Sequence, residues 1–353
     1  MNKNITMQDI ADHLKLDRTT VSKAISGKGT VSAKTIKRVN QAIEELGYRK
    51  DSFASGLVTG KNTVLAIVLP EIKSGINAPF IQSFQKNARK HHYGVILYYV
   101  EPKGDNLPMI LEMLKQQRVS GVTFLSGATT SKDDDNLIRL LDSGIAINTT
   151  SRSFIHEQID GIRFNHLKAG FELTEHLIKL QHKHIVFVAN TYSQGTPFER
   201  MEGYRKAMES YGLQPVVIGD AHSTVKPSDF PGLTNFSYHT VKREWDNVKD
   251  ASAFIGCNDE AALGIVHLLK EKNVSIPKDC SVAGLDDLYA DLAIPQLTSM
   301  RFPLSEGGEK AAELLLKRID ANGKADATNF LLDYELIDRE STAMRTAPKS
   351  HPT

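Results

Sequence analysis

From residue 64 onward, short apolar runs alternate with stretches in which apolar positions recur every three or four residues. Runs at 64–69 (VLAIVL), 95–100 (VILYYV), 121–125 (GVTFL), 184–189 (HIVFVA), 253–257 (AFIGC) and 281–285 (SVAGL) read as strands. Segments at 79–92, 107–118, 171–181, 200–212 and 260–273 carry helical spacing. This βαβα rhythm predicts a doubly wound parallel sheet, and about 280 residues are enough for two of them.

The first 61 residues follow a different pattern. Ile10, Ala11 and Leu14 form one face of a short helix, with Thr6 as N-cap and Asp9 at N3 in a shortened capping box. "KLD" breaks the spacing, and Asp17 can cap a second helix from Arg18 to about Ser26 that buries Val21, Ala24 and Ile25. A third helix starts after Ser32, packs Ile36, Val39, Ile43 and Leu46, and stops at Gly47. The first two, joined this tightly, predict a helix-turn-helix, whose second helix enters a DNA major groove. Arg18, Thr19, Ser22 and Lys23 then lie on its outward side or exposed N-terminal end. Fewer than 50 residues give a barely sufficient core, so a partner or DNA is expected to help stabilise it.

Charge sharpens this division. Residues 1–61 hold eleven Lys/Arg against six Asp/Glu, a net +5, while the remainder of the +1 chain carries −4. A basic head on an acidic body points to a polyanion partner for the head alone. The hydrophobic fraction of 41% and charged fraction of 24% in 353 residues are ordinary for a soluble protein of two or three domains. Two cysteines, Cys257 and Cys280, have no partner at metal-ligand spacing. The start has no apolar stretch of secretory length and no run reaches membrane-span length, so a cytoplasmic protein with no membrane partner is expected.

In open α/β sheets, ligands bind beyond the carboxyl ends of strands. Those positions are polar here: Glu71, Ser126, Arg152, Asn165, Asn258-Asp259 and Asp286-Asp287, with Arg200 opening a helix. Such a set suits a hydroxyl-rich ligand, on which Phe80, Tyr192, Phe198, Trp245 or Phe302 could stack. No G-x-G-x-x-G follows the first strand, and no P-loop, G-x-S-x-G elbow or H-E-x-x-H is present, so neither catalysis nor a cofactor is expected. The histidines at 182–184 and 91–92 fall at helix-to-strand junctions, where exposed histidines are common, and are not read as a metal site.

Residues 6–48, the following "SFASGLVTGK", and the body segments "RMEGYRKAM", "CNDEAALG", "SVAGLDD" and "QLTSMRFP" together resemble the LacI/GalR (lactose-repressor/galactose-repressor) regulators along essentially the whole chain. The resemblance implies an all-α helix-turn-helix head at 1–50, a hinge helix at 51–61, and a periplasmic-binding-protein-like body of two doubly wound lobes at 62–345. The N-lobe would take about 62–162 and 298–327, the C-lobe 163–297 and 328–345, leaving a tail at 346–353. Arg18, Thr19 and Lys23 would read bases, while Thr6, Thr20, Ser22, Ser32 and Thr35 would meet phosphates. Leu57, beside Ala54, would wedge into the minor groove when two chains pair on DNA. Arg152, Asn165, Arg200, Asn258 and Asp286 would hold the effector, with Phe302 standing where many members carry a polar residue. The implied partners are a palindromic operator, a second copy of the chain and a small effector, a sugar or sugar derivative first. The chain departs from the family at Lys15, where the turn usually has a small residue, at Ser55-Gly56, and in a longer, more irregular 219–247 connection. A solute receptor of the same body fold is the rival reading, but it would have no use for a basic helix-turn-helix.

Overall fold

A computed structural model of the protein describes residues 5–26, 29–48, 62–70, 75–101, 105–150, 156–190, 196–219, 231–323 and 326–345. The chain divides into two units, Met1–Thr63 and Val64–Thr353.

Among its described residues the first unit has three helices, α1 (Met7–Leu14), α2 (Arg18–Ser26) and α3 (Ala33–Leu46). Thr6 and Asp9 close a reciprocal capping box: the Asp9 N–H donates to the Thr6 hydroxyl at 3.3 Å, and the Thr6 N–H to the Asp9 carboxylate at 2.7 Å. Ser32 caps α3 by accepting from the Thr35 N–H at 3.2 Å, and Gly47 ends it with φ 65°. Ile10, Ala11, Val21, Ala24, Val39 and Ala42 form the buried core, while Ile25 and Leu14 lie half-buried at its rim. Arg38 reaches from α3 to donate to the Leu14 carbonyl at 3.2 Å, a cation set on the exposed carbonyl end of α1.

Lys15 ends α1 with φ 53°, the left-handed conformation that costs a residue with a Cβ about 1–2 kcal/mol. Lys15→Gly relieves that strain but loosens the unfolded chain. A net gain of up to about 1 kcal/mol is expected, read as slower hydrogen exchange of the α1 and α2 amides in the full chain. Unchanged or faster exchange would show that the turn is not strained.

The second unit contains, among the described residues, strands β1 (Val64–Leu69), β2 (Gly94–Tyr99), β3 (Gly121–Phe124), β4 (Ala146–Thr149), β5 (Asp160–Phe164) and β6 (Ile185–Val188). Strands β7 (Val216–Ile218), β8 (Ala253–Gly256), β9 (Ser281–Asp286), β10 (Thr298–Arg301), β11 (Asn329–Leu332) and β12 (Glu335–Ile337) follow. Its helices are α4 (Ala78–Lys90), α5 (Leu107–Gln116), α6 (Asp134–Asp142), α7 (His166–Lys179), α8 (Thr196–Ser210), α9 (Leu233–Arg243), α10 (Trp245–Val248), α11 (Asp259–Glu271) and α12 (Leu304–Asp320). The strands make two sheets, ordered β11-β5-β4-β3-β1-β2 and β12-β10-β9-β8-β6-β7, parallel throughout except where β12 runs against β10. In β1, Leu65, Ile67 and Leu69 join the core on one face while Ala66 and Val68 join the core on the other. Burial on both faces is why VLAIVL is apolar without alternation.

Strand pairing redraws the lobe limits expected from sequence. β10 pairs with β9 (Thr298 beside Ala283) and belongs to the second lobe, and β11 pairs with β5 (Asn329 beside Gly161) and belongs to the first. The chain therefore changes lobe after β5, between β10 and α12, and between β11 and β12, not at 298 and 328. The reason is packing: α12 lies against α4 in the first lobe, with Gly308 so close to Phe80 that a Cβ would sit 2.1 Å from the Phe80 carbonyl oxygen. The strand that precedes α12 is left on the second sheet.

Two other features position the site. Helices α7 and α8 meet backbone to backbone: a Cβ on Gly170 would lie 2.0 Å from the Arg200 carbonyl oxygen, and one on Gly203 2.0 Å from that of Leu167. Of the 219–247 connection, expected to be irregular, residues 220–230 lie outside the described residues; beyond them it is helical over α9 and α10, and α9 packs on α11 with Ser237 donating to the Ala261 carbonyl at 2.8 Å. No helix among the described residues is long and apolar enough to cross a membrane.

Candidate functional site

The carboxyl ends of the two sheets face a cleft of about 740 Å³. Asn77, Phe80, Ser126 and Thr150 line it from the first lobe, and Asn190, Thr196, Arg200, Asn258, Asp259 and Asp286 from the second. Phe164 and His166 flank the first crossover and Phe302 stands on the second.

Arg200 is the floor. It is 3% exposed, projecting from α8, whose backbone is fixed against α7. Its Nη1 donates to the Cys257 carbonyl at 2.8 Å, and its Nη2 to Asp286 Oδ1 at 2.5 Å and to the Tyr334 hydroxyl at 2.9 Å. The ring of Phe302 lies 5.7 Å and that of Tyr334 5.6 Å from the guanidinium carbon, and the two rings stack at 4.9 Å. Burial opposes charge on Arg200, but Asp286 and Tyr334 outweigh it and hold the group above its ordinary value. Burial likewise lifts the Asp286 carboxyl while Arg200 pulls it back. With a 2.5 Å contact to a guanidinium, we read the pair as ionised. Among the described residues, Arg200 Nε and the side-chain oxygen of Asn190 are buried without a hydrogen-bond partner, which leaves polar capacity for a ligand or water.

Asp286 occupies the end of β9 with φ 116°, and Asp287 follows with φ 53°. Such conformations cost of order 1–3 kcal/mol each for residues with a Cβ. Here they send the two acids apart, Asp286 to Arg200 and Asp287 to Arg301 at 2.8 Å and Arg339 at 2.6 Å.

Asp259 begins α11 and is 1% exposed; it accepts from the Ser299 hydroxyl at 2.6 Å and the Leu288 N–H at 2.7 Å. Burial, with Asp286 adding to it, pushes its carboxyl up to about 7. The folded protein then holds a proton that the unfolded chain releases near the ordinary carboxylate value. Stability from this group is complete at pH below that value and is lost as pH rises through about 7. The unfolding free energy of the body should fall by up to about 1.4 kcal/mol per pH unit across this window. Asp259→Asn should flatten the slope in urea titrations, and an unchanged slope would assign it to another group.

Of the effector residues expected from sequence, Arg200, Asn258, Asp286 and Phe302 come together in the cleft. Asn258 caps α11 through its oxygen, which accepts from the Ala261 N–H at 2.9 Å. Asn165 is not among the residues that line the cleft: its oxygen caps α7 and its nitrogen donates to Asp333 at 2.9 Å. The next residue, His166, lines the cleft instead, because the chain turns into α7 at that point. Arg152, Glu71 and Tyr192 lie outside the described residues. Trp245 is half-buried against the core of the second lobe and does not line the cleft, with Lys272 above its ring at 5.6 Å. His182, expected to be exposed, is 2% exposed and bonded to the Ala343 carbonyl at 3.1 Å. Sequence reasoning missed His166, Asn190 and Tyr334. The first two follow apolar runs by one or two residues, a usable signal, whereas Tyr334 lies in a short edge segment with none. Cys257, read as an inert buried thiol, is 1% exposed, with burial pushing its pKa up to about 12.

In the head, Arg18, Thr19, Ser22 and Lys23 are exposed on α2, and Thr20 is half-buried. Thr6 and Ser32 spend their hydroxyls as helix caps, and Thr35 lies 2.9 Å from Ser32 oxygen to oxygen. Ala54 and Leu57 lie outside the described residues.

A basic helix-turn-helix unit in one chain with a two-lobed, cleft-bearing α/β body defines a DNA-binding transcriptional regulator. Residues 6–51 match the model of bacterial regulatory proteins of the lacI family, and residues 174–342 that of periplasmic-binding-protein-like domains. The chain thus carries a lacI-family DNA-binding domain together with a periplasmic-binding-protein-like domain, and the DNA-binding domain decides against a simple solute receptor. It is similar to catabolite control protein A of Priestia megaterium, with 27% identity over 96% of this chain and 99% of the relative. Among solved structures it is similar to the lac repressor dimer bound to operator and the anti-inducer ONPF, with TM-score 0.79 and 22% identity over 97% of this chain and 100% of that one. The transcriptional regulator CelR in complex with cellobiose matches with TM-score 0.66 and 23% identity over 96% and 99%.

Proposed function

We propose that the protein is a cytoplasmic, non-catalytic repressor that binds a two-fold symmetric operator as a homodimer and changes its hold on DNA when a sugar or sugar derivative enters the cleft. The observation that carries this reading is the buried Arg200–Asp286 pair at the floor of a polar cleft between two lobes, in a chain that also bears a helix-turn-helix. Arg18, Thr19 and Lys23 are assigned to base edges, and Thr6, Thr20, Ser22, Ser32 and Thr35 to phosphates. Ala54 and Leu57 keep the minor-groove role assigned from sequence, as Arg152 keeps its effector role. Arg200, Asp286, Asn258, Phe302, His166 and Asn190 form the effector set. The cellobiose complex of CelR supports a sugar as the first ligand class. A ligand that favours one lobe orientation would couple to DNA with about 1–3 kcal/mol, one or two decades in operator occupancy.

The test has two stages. Operators are first selected from random duplexes, and sugars, sugar phosphates and nucleosides are then screened by thermal shift, since a ligand of the folded state raises stability by mass action. A palindromic consensus, with a sugar that both stabilises the body and alters operator affinity, is expected. Failure to enrich any sequence, or stabilisation by nucleosides alone, would sink the reading.

A further inference from the structure

The cleft floor contains a hydrogen bond whose direction its neighbours dictate. The Tyr334 hydroxyl has one proton and, among the described residues, two partners: Arg200 Nη2 at 2.9 Å and His166 Nδ1 at 2.6 Å. A guanidinium nitrogen donates and cannot accept, so the first contact uses a lone pair of the phenol oxygen. Burial raises the Tyr334 pKa above its ordinary value, which keeps the proton on the phenol. Among the described residues, that proton then has one acceptor in reach, His166 Nδ1. If the imidazole carried hydrogen on Nδ1, as it does in the other neutral tautomer and in the cation, two donors would meet and a buried phenol proton would be left without an acceptor.

We propose that Tyr334 fixes His166 as the neutral Nε2–H tautomer, so that His166 offers the cleft a hydrogen-bond donor and selects for a ligand oxygen at that edge. His166 Nε2 lies 3.3 Å from Thr196 Oγ1, and both residues line the cleft, so an oxygen entering beside Thr196 meets this N–H. His166 is the specificity-determining residue, and Tyr334 is a positioning residue that acts through it. The arrangement also ties the three lobe crossovers together. Tyr334 lies between β11 and β12, its ring stacks on Phe302 between β10 and α12, and its hydroxyl holds His166 just after β5. The ligand-selecting part rests on reading the cleft as the effector site, whereas the tautomer does not.

The experiment uses the full chain labelled with ¹⁵N-histidine, in which His166 is assigned by its loss in His166→Gln. Long-range ¹H–¹⁵N correlation at neutral pH should show a pyridine-type Nδ1 and a pyrrole-type Nε2 in the wild type. Tyr334→Phe keeps the stacked ring but removes the phenol proton, and should move His166 to a mixture of tautomers or to the cation. A wild-type ring with hydrogen on Nδ1 overturns the proposal, and so does a Tyr334→Phe spectrum identical to wild type. If Tyr334→Phe does not fold, the wild-type spectrum still decides. Glucose, ribose and cellobiose are then added as probes, and a bound sugar should shift the Nε2–H signal. A bound sugar that leaves it unmoved overturns the donor role. The expected tautomer with no sugar binding counts against the effector reading alone.

Discussion

Arg200→Ala should lower the unfolding free energy of the body by about 3–5 kcal/mol, because it leaves Asp286 buried without its cation. Both partners are nearly inaccessible, at 3% and 5% side-chain exposure, so water cannot replace the lost partner cheaply. Sequence alone assigns these residues to the effector, and their burial gives them a part in the fold as well. Replacing both, as Arg200→Met with Asp286→Leu, should recover much of the stability while abolishing the ligand response, since a buried pair exchanged for apolar side chains is often neutral. Urea titrations of the single and double variants measure this directly. A single-variant loss below about 1 kcal/mol would mean that the pair is wetter than its burial indicates.

The second large effect is expected at the DNA. Arg18→Ala and Lys23→Ala should each weaken binding to a selected operator by about 1–3 kcal/mol, tenfold to more than a hundredfold, if each makes a bidentate contact to a guanine edge. Binding to random duplex should change far less, because it is mostly phosphate electrostatics. Measuring both at several salt concentrations separates the roles, since loss of a phosphate contact lowers the salt slope by about one and weakens all sequences alike. Equal weakening on operator and random DNA would reassign the residue to the backbone.

The parts of the fold legible in the sequence were those written by periodicity. VLAIVL and HIVFVA are buried on both faces, and the first is β1 residue for residue, while the second frays by one residue at each end. The caps at Thr6, Ser32 and Gly47 were equally readable, because a cap is a local hydrogen bond between near neighbours. TSMR, NFLL and ELI were not proposed as strands: they are three or four residues long, and their place is set by pairing with other strands, β10 on β9, β11 on β5 and β12 on β10. The site divides in the same way. Arg200, Asn258 and Asp286 follow strands or open helices and could be listed by rule. His166 was missed by one position, since sequence cannot say where the backbone turns after β5. Tyr334 reaches the floor through a hydroxyl 134 residues from Arg200, a distance no local pattern spans.

The glycine contacts between α7 and α8 bear on how this protein could be adapted as a biosensor. With Gly170 and Gly203 bringing the two backbones together, the helices that carry His166 and Arg200 have no slack in which to slide. A larger analyte cannot be accommodated by easing that wall outward, and libraries that randomise it would be dominated by chains that do not fold. Ser126 and Thr150, on the opposite wall, sit at strand ends and are joined to each other by a hydrogen bond from the Ser126 N–H to the Thr150 hydroxyl at 2.7 Å. Retargeting should begin there, with the second lobe kept as an invariant chassis.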